Sequence, residues 1–225
     1  MECIKNGFNE LELIIHDTDT TWLNTLRRIM ISEVPSVAIE TVFFEQNRTT
    51  VHDEFLSHRL GLVPLSCDSD TILELHQNDF SCEFLLEKEN KQKENIVNVY
   101  STDLIPVLNH LSPCHVVSYP NSKNGILLCR LGKGEKLKLK CKAMTGTGKD
   151  HIKWSPVSSV YYFPEPQETF ENDKNETFRM SIETNGSISA SDVFKISLTI
   201  LKKKINSLQK ILFSENNDNL PEIIK

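Results

Sequence analysis

With 225 residues, 39% of them hydrophobic and 25% charged, the chain is long enough for one large domain or two small ones with real cores, and its composition is that of a folded protein. A formal charge of -6 argues against a surface given over wholly to nucleic acid, while leaving room for a local basic patch. No apolar run approaches the roughly 18 residues of a membrane span, and the opening MECIKNGFNELELII, broken by Asn9, Glu10 and Glu12, lacks the layout of a secretory signal.

LELII (Leu11 to Ile15) alternates and then runs apolar, which predicts a strand. HDTDTT is a turn whose Asp19 or Thr20 can cap a helix. In that helix Trp22, Leu26, Ile29 and Met30 fall on one face, and Pro35 marks its end. VAIETVFFEQN reads as a strand, and HDEFLSHRLGL as a second short helix ending near Gly61. The middle is β-rich, with strands expected at SCEFLLEK, NIVNVYS, GILLCRL and EKLKLKCKAM, and a further one at PVSSVYYF. The acidic, proline-containing stretch 164–176 reads as a solvated loop, and FRMSIETNGSIS as a strand and turn. A strong helix closes the chain. Ser189 and Asp192 resemble a capping box, and Phe194, Leu198, Leu201, Ile205, Leu208 and Leu212 form an a/d seam. A seam that narrow suits a helix partner better than a broad sheet.

The candidate chemistries are thin. The six cysteines are scattered without a CxxC pair and read as reduced, mostly buried thiols. Cys67, His76 and Cys82 match no common zinc spacing and lack a fourth ligand. MTGTGKDH fails as a phosphate loop, because Ala143 replaces the first glycine and Asp150 the magnesium-binding hydroxyl; a glycine-rich turn is the better reading. No nucleophile elbow or Cys/His set is present. Lys136, Lys138, Lys140 and Lys142 share one face of a strand. They suit either an acidic or phosphate-bearing partner or, preferably, a solvent-facing or edge strand guarded by charge. Arg27 and Arg28 lie about 100° apart around their helix, so both cannot enter one core. They are either solvated or poised to take carboxylates of another protein.

Several segments taken together, NTLRRIMISEVPSVAIETV, HDEFLSHRLGLVPL, NVYSTDL, GILLCRLGKGEKLKLKCKAMTGTGKDHIKWSPV and FRMSIETNGSIS, resemble the α-like subunits of cellular RNA polymerases, nearest the polymerase II type. The alternative within the family is the α-like subunit shared by polymerases I and III. A free-standing nucleic-acid-binding module using the lysine strand is the rival from another class. The resemblance implies a non-catalytic assembly platform of α+β class. Residues 1–36 and 156–225 would form a discontinuous dimerisation domain, a sheet with two helices including the long terminal one, and 37–155 an inserted β-rich domain. It implies pairing with a smaller α-like subunit through Trp22, Leu26, Ile29, Met30, Phe194, Leu198, Leu201, Ile205, Leu208 and Leu212. It also implies docking of the second-largest subunit at Arg27 and Arg28, small zinc-ribbon-type subunits nearby, and a nuclear setting, with neither sequence-specific DNA binding nor a membrane expected. The four-cysteine zinc loop of many polymerase II-type members is shortened here to SCDSDTILELHQNDFSCEF, with Cys67 and Cys82 alone, so no metal or other cofactor is expected.

Overall fold

The computed structural model describes residues 1–67, 69–78, 80–91, 96–107, 114–118, 124–165 and 177–214. The hairpin Glu2–Asn6 (β1) and Glu10–Ile15 (β2) leads into the helix Thr20–Ser32 (α1) and the long strand Pro35–Asn47 (β3). Helix Asp53–Gly61 (α2), strand Leu65–Cys67 (β4) and helix Ser69–Gln77 (α3) come next. Then follow Ser81–Glu89 (β5), Val97–Tyr100 (β6), Ile105–Pro106 (β7), Cys114–Val116 (β8), Leu127–Leu131 (β9) and Lys136–Thr147 (β10). Val157–Pro164 (β11), Phe178–Thr184 (β12) and the helix Ala190–Ser214 (α4) complete the order.

The chain's two ends meet in one antiparallel sheet, ordered β1-β2-β12-β11. Leu11 pairs with Ile182 and Leu13 with Met180, so the alternating apolar residues of both strands point to one buried face. Helices α1 and α4 pack on that face and on each other. Asp19 caps α1 by accepting from the Thr21 amide at 3.3 Å, and this bond holds its carboxyl below the usual carboxylate range. Ser189 caps α4: its Oγ accepts from the Asp192 amide (3.1 Å) and donates to the Asp192 carboxylate (2.6 Å).

The intervening residues build a second antiparallel sheet, β3-β10-β5-β7, with two small sheets, β4-β8 and β6-β9. Leu137, Leu139, Cys141, Phe84 and Leu86 are buried on its inner side and join the same hydrophobic core as Leu11, Met30 and Met180. β3 already begins at Pro35, so a boundary after residue 36 cuts a strand. Arg59 of α2 donates to the carbonyls of Leu128 (3.1 Å) and Leu127 (2.5 Å), tying the HRLGL segment to β9. Helix α3, unforeseen in the sequence, buries Ile72 in the core where a metal loop was considered. The acidic stretch expected as a loop lies, from 166 to 176, outside the described residues.

Of the glycine-rich MTGTGKDH, expected as a turn, Met144 to Thr147 are the end of strand β10, and only the residues from Gly148 form a turn at its exit. Its Lys149 amide donates to the Ser32 carbonyl at the end of α1 (2.8 Å). A Cβ on Gly148 would stand 2.2 Å from the Ile31 carbonyl oxygen, and one on Gly146 would stand 2.5 Å from the Trp154 ring. Both glycines are therefore close-approach residues. Gly148→Ala should destabilise the protein by about 1–3 kcal/mol, because backbone must move to admit the methyl. Gly7→Ala, whose Cβ would meet its nearest atom at an ordinary 3.6 Å, is the control. Thermal unfolding of the two variants checks this, and equal melting temperatures would refute the packing argument.

Candidate dimerisation surface

Helix α1 buries Leu23, Leu26, Ile29 and Met30. Three of the four apolar residues expected on its partner-facing side, Leu26, Ile29 and Met30, thus sit in the chain's own core, and the fourth, Trp22, is 52% exposed. Leu23 takes the place expected of Trp22. The two are adjacent and only about 100° apart, and each is compatible with helical spacing to Leu26 and Met30. Packing against the sheet selects Leu23. The buried three thus serve the chain's own core, Ile29 also lining the groove described below, and of the four only Trp22 is exposed.

The seam of α4 divides. Phe194 is buried and Leu201 packs half-buried against the core, while Leu198, Ile205, Leu208 and Leu212 are exposed. From 202 to 213 every residue is exposed, so the helix runs roughly 18 Å past the body of the protein. Leu208, 61% exposed, lies with Ile200 and Ile211 along an apolar groove whose rim is Lys203, Lys204 and Ser207. The spacing of 198, 205, 208 and 212 keeps these side chains on one stripe.

Beside it, a groove of about 610 Å³ opens between α1, α4 and β11. It is lined by Ile29, Leu201 and Tyr162, with Arg28, Glu33 and Lys204 among its polar residues. The Lys204 ammonium pairs with Glu33 at 2.5 Å and joins the two helices.

The arginine pair separates in role. Arg27 is half-buried, and its Nε donates to the Val160 carbonyl at 3.0 Å, covering part of the otherwise open edge of β11. Arg28 is exposed and lines the groove. Arg27 is therefore first a structural anchor, which periodicity could not disclose, since its acceptor lies 133 positions away.

The cysteines are free thiols, as expected, and all but Cys3 are buried. Cys67 lies opposite Cys114 across β4 and β8, and the thiols of Cys67, Cys82 and Cys114 meet in the core, while His76 is exposed. Hydrogen bonding to Cys67 and Cys82, then burial, pushes the Cys114 thiol far above its usual range. Burial alone raises Cys141 to about 12 and leads the rise of Cys129 to about 11. These are packed, protonated thiols. Among the described residues no group of three His, Cys, Asp or Glu is placed to hold a metal ion. The lysines of β10 do not guard an edge, because β10 is paired on both sides.

Residues 12–205 match the RNA polymerase Rpb3/Rpb11 dimerisation domain. The chain belongs to this family. The resemblance seen in its motifs is thereby borne out, and with it the α+β class and the character of an α-like RNA polymerase subunit. Relatives within reach include the DNA-directed RNA polymerases II, IV and V subunit 3 of Arabidopsis thaliana, 35% identical across 77% of this chain and 59% of that protein. The DNA-directed RNA polymerase subunit Rpo3 of Methanocaldococcus jannaschii is 36% identical, over 82% of this chain and 81% of the relative. The DNA-directed RNA polymerase II subunit RPB3 of Schizosaccharomyces pombe is 30% identical over 94% and 86%. The chain thus spans little more than half of the plant relative and most of the other two.

The division of the arginines is testable without any partner. Arg27→Ala should lower the stability of the Rpb3/Rpb11-family chain by about 1–2 kcal/mol, the cost of an unsatisfied carbonyl and a lost charged donor. Arg28→Ala should stay within about 0.5 kcal/mol of the parent. Urea unfolding of both variants reads the difference, and equal midpoints would show that the Val160 bond carries no weight.

Proposed function

We propose that the chain is the larger, α-like half of a heterodimer that nucleates assembly of a nuclear, polymerase II-type RNA polymerase. One observation carries this reading: the second half of α4 projects apolar side chains, Ile205 and Leu208 among them, that are exposed among the described residues. Each such side chain, once fully covered, contributes about 1.5–3 kcal/mol of gross transfer free energy. Exposed stripes of this kind mark protein contacts. A smaller α-like subunit would lay a helix along Leu198, Ile205 and Leu208 and reach the groove over Ile29 and Leu201. Lys202, Lys203, Lys204 and Lys210, interleaved with the stripe, keep the free helix soluble and favour a partner helix with carboxylates at its flanks.

Support for the polymerase II type comes from the Schizosaccharomyces pombe relative, whose likeness extends over 94% of this chain. Arg28, exposed and lacking an ion pair among the described residues, is the better of the two arginines for capturing a carboxylate of the second-largest subunit. The reading invokes no resident metal, and the helix α3 and the packed thiols in the region of the family's zinc loop support it.

Co-expression with a smaller α-like subunit tests the pairing. Ile205→Asp with Leu208→Asp should abolish co-purification while leaving the thermal unfolding of the single chain unchanged, because both side chains are exposed. A complex that survives the double substitution would sink the heterodimer reading. Arg28→Glu should leave the pair intact and weaken addition of the second-largest subunit; undiminished addition would remove the docking role.

A further inference from the structure

The outer face of the β3-β10-β5-β7 sheet carries a row that neither the fold nor the dimer surface uses. Lys140 stands directly opposite Phe43 on one side and Leu85 on the other, and Leu85 stands opposite Ile105. Directly opposite residues share a face, so the four side chains cross the whole sheet in line. Phe43 is 56% exposed, Leu85 40% and Ile105 59%. Val107, also exposed, follows on the edge, where its amide donates to the Glu83 carbonyl at 2.9 Å. An apolar row this continuous on a sheet face is the mark of an interface.

The charges around it define what can cover it. Lys136 is paired with Glu87 (2.8 Å) and Lys138 with Glu45 (2.7 Å). Lys140, at the centre of the apolar row, makes no ion pair among the described residues. An apolar partner laid across the row would strip water from that ammonium and must return a negative charge to it. Phosphate is a poor occupant, because Glu45, Glu83 and Glu87 flank the row and Lys140 is bordered along it by the hydrocarbon of Phe43 and Leu85. A second copy docked symmetrically would bring Lys140 against its own counterpart.

We infer that this sheet face docks a segment of another protein chain in which aliphatic or aromatic side chains flank an aspartate or glutamate, the carboxylate seating on Lys140. The surface lies on a different sheet from α4 and the groove, so its failure would leave the heterodimer reading standing.

Photo-cross-linking in the assembled complex tests it. Leu85, or separately Ile105, is replaced by p-benzoylphenylalanine, with exposed Ile152 as the control position. The cross-linked peptide is then sequenced. The expected product is a peptide of another chain with apolar side chains beside an aspartate or glutamate. Lys140→Glu should cut its yield on the order of tenfold, and Lys140→Gln by less. Both variants should melt within about 2 °C of the parent, since Lys140 is a surface residue. Cross-linking no greater than at Ile152 would overturn the inference. So would products with nucleic acid, with a second copy or with a peptide lacking an acid, and so would a yield indifferent to Lys140→Glu.

Discussion

The pairing of β2 with β12 is the constraint on which the rest depends. It joins residues about 170 positions apart, and its register leaves no freedom, since a slip by one residue would turn Leu11, Leu13, Met180 and Ile182 out to solvent. The same junction sets the start of α4. The Thr184 amide donates to the Asn9 carbonyl and the Ala190 amide to the Phe8 carbonyl, each at 2.8 Å. The direction in which the terminal helix leaves the body is therefore fixed by the first ten residues of the chain. A partner reading α4 is reading the closure of the sheet.

Helix α1 then links this sheet to the rest of the molecule. Its Arg27 holds the edge of β11, its last carbonyls receive the Gly148–Lys149 turn from β10, and Glu33 just beyond it pairs with Lys204 of α4. Three elements from distant parts of the sequence converge within two turns of one helix. That convergence explains why a lone apolar period could not assign the helix's faces: it faces the sheet, the inserted region and α4 at once.

Much of the fold was legible in local pattern. The strands with alternating or apolar runs, the short helix before Gly61 and the helix cap at Ser189 are each specified by neighbours in sequence, and each forms close to where its pattern lies. What escaped depends on tertiary choice. β1 is exposed throughout and has no alternation to reveal it, and α3 is short and follows a region compared with a metal loop. Trp22 and Leu23 compete for one helical face, and only the shape of the sheet beneath decides between them. The lysine strand could be read as solvent-facing, but its central position follows from β3 and β5 pairing on either side. At the candidate surface the seam of α4 was visible as a whole; its division into an inner and an outer half was not, because burial depends on where the sheet ends.

That division has a physical logic. The first three turns of α4 supply Val193, Phe194, Ile196 and Ser197, all buried, and so belong to the stability of the single chain. Among the described residues, those of the turns beyond Leu201 are exposed and none joins the core. The Glu33–Lys204 pair lies at the transition and ties the outer half of α4 to α1. An exposed ion pair of this kind adds little stability, but it restrains the direction of a helix that would otherwise be held only by its inner turns. Because α1 is itself gripped by the turn from β10, the outer half of α4 and the outer face of the second sheet are held in one relative orientation. A subunit bound at one of these surfaces therefore meets the other at a fixed angle, which is the geometric requirement of an assembly platform.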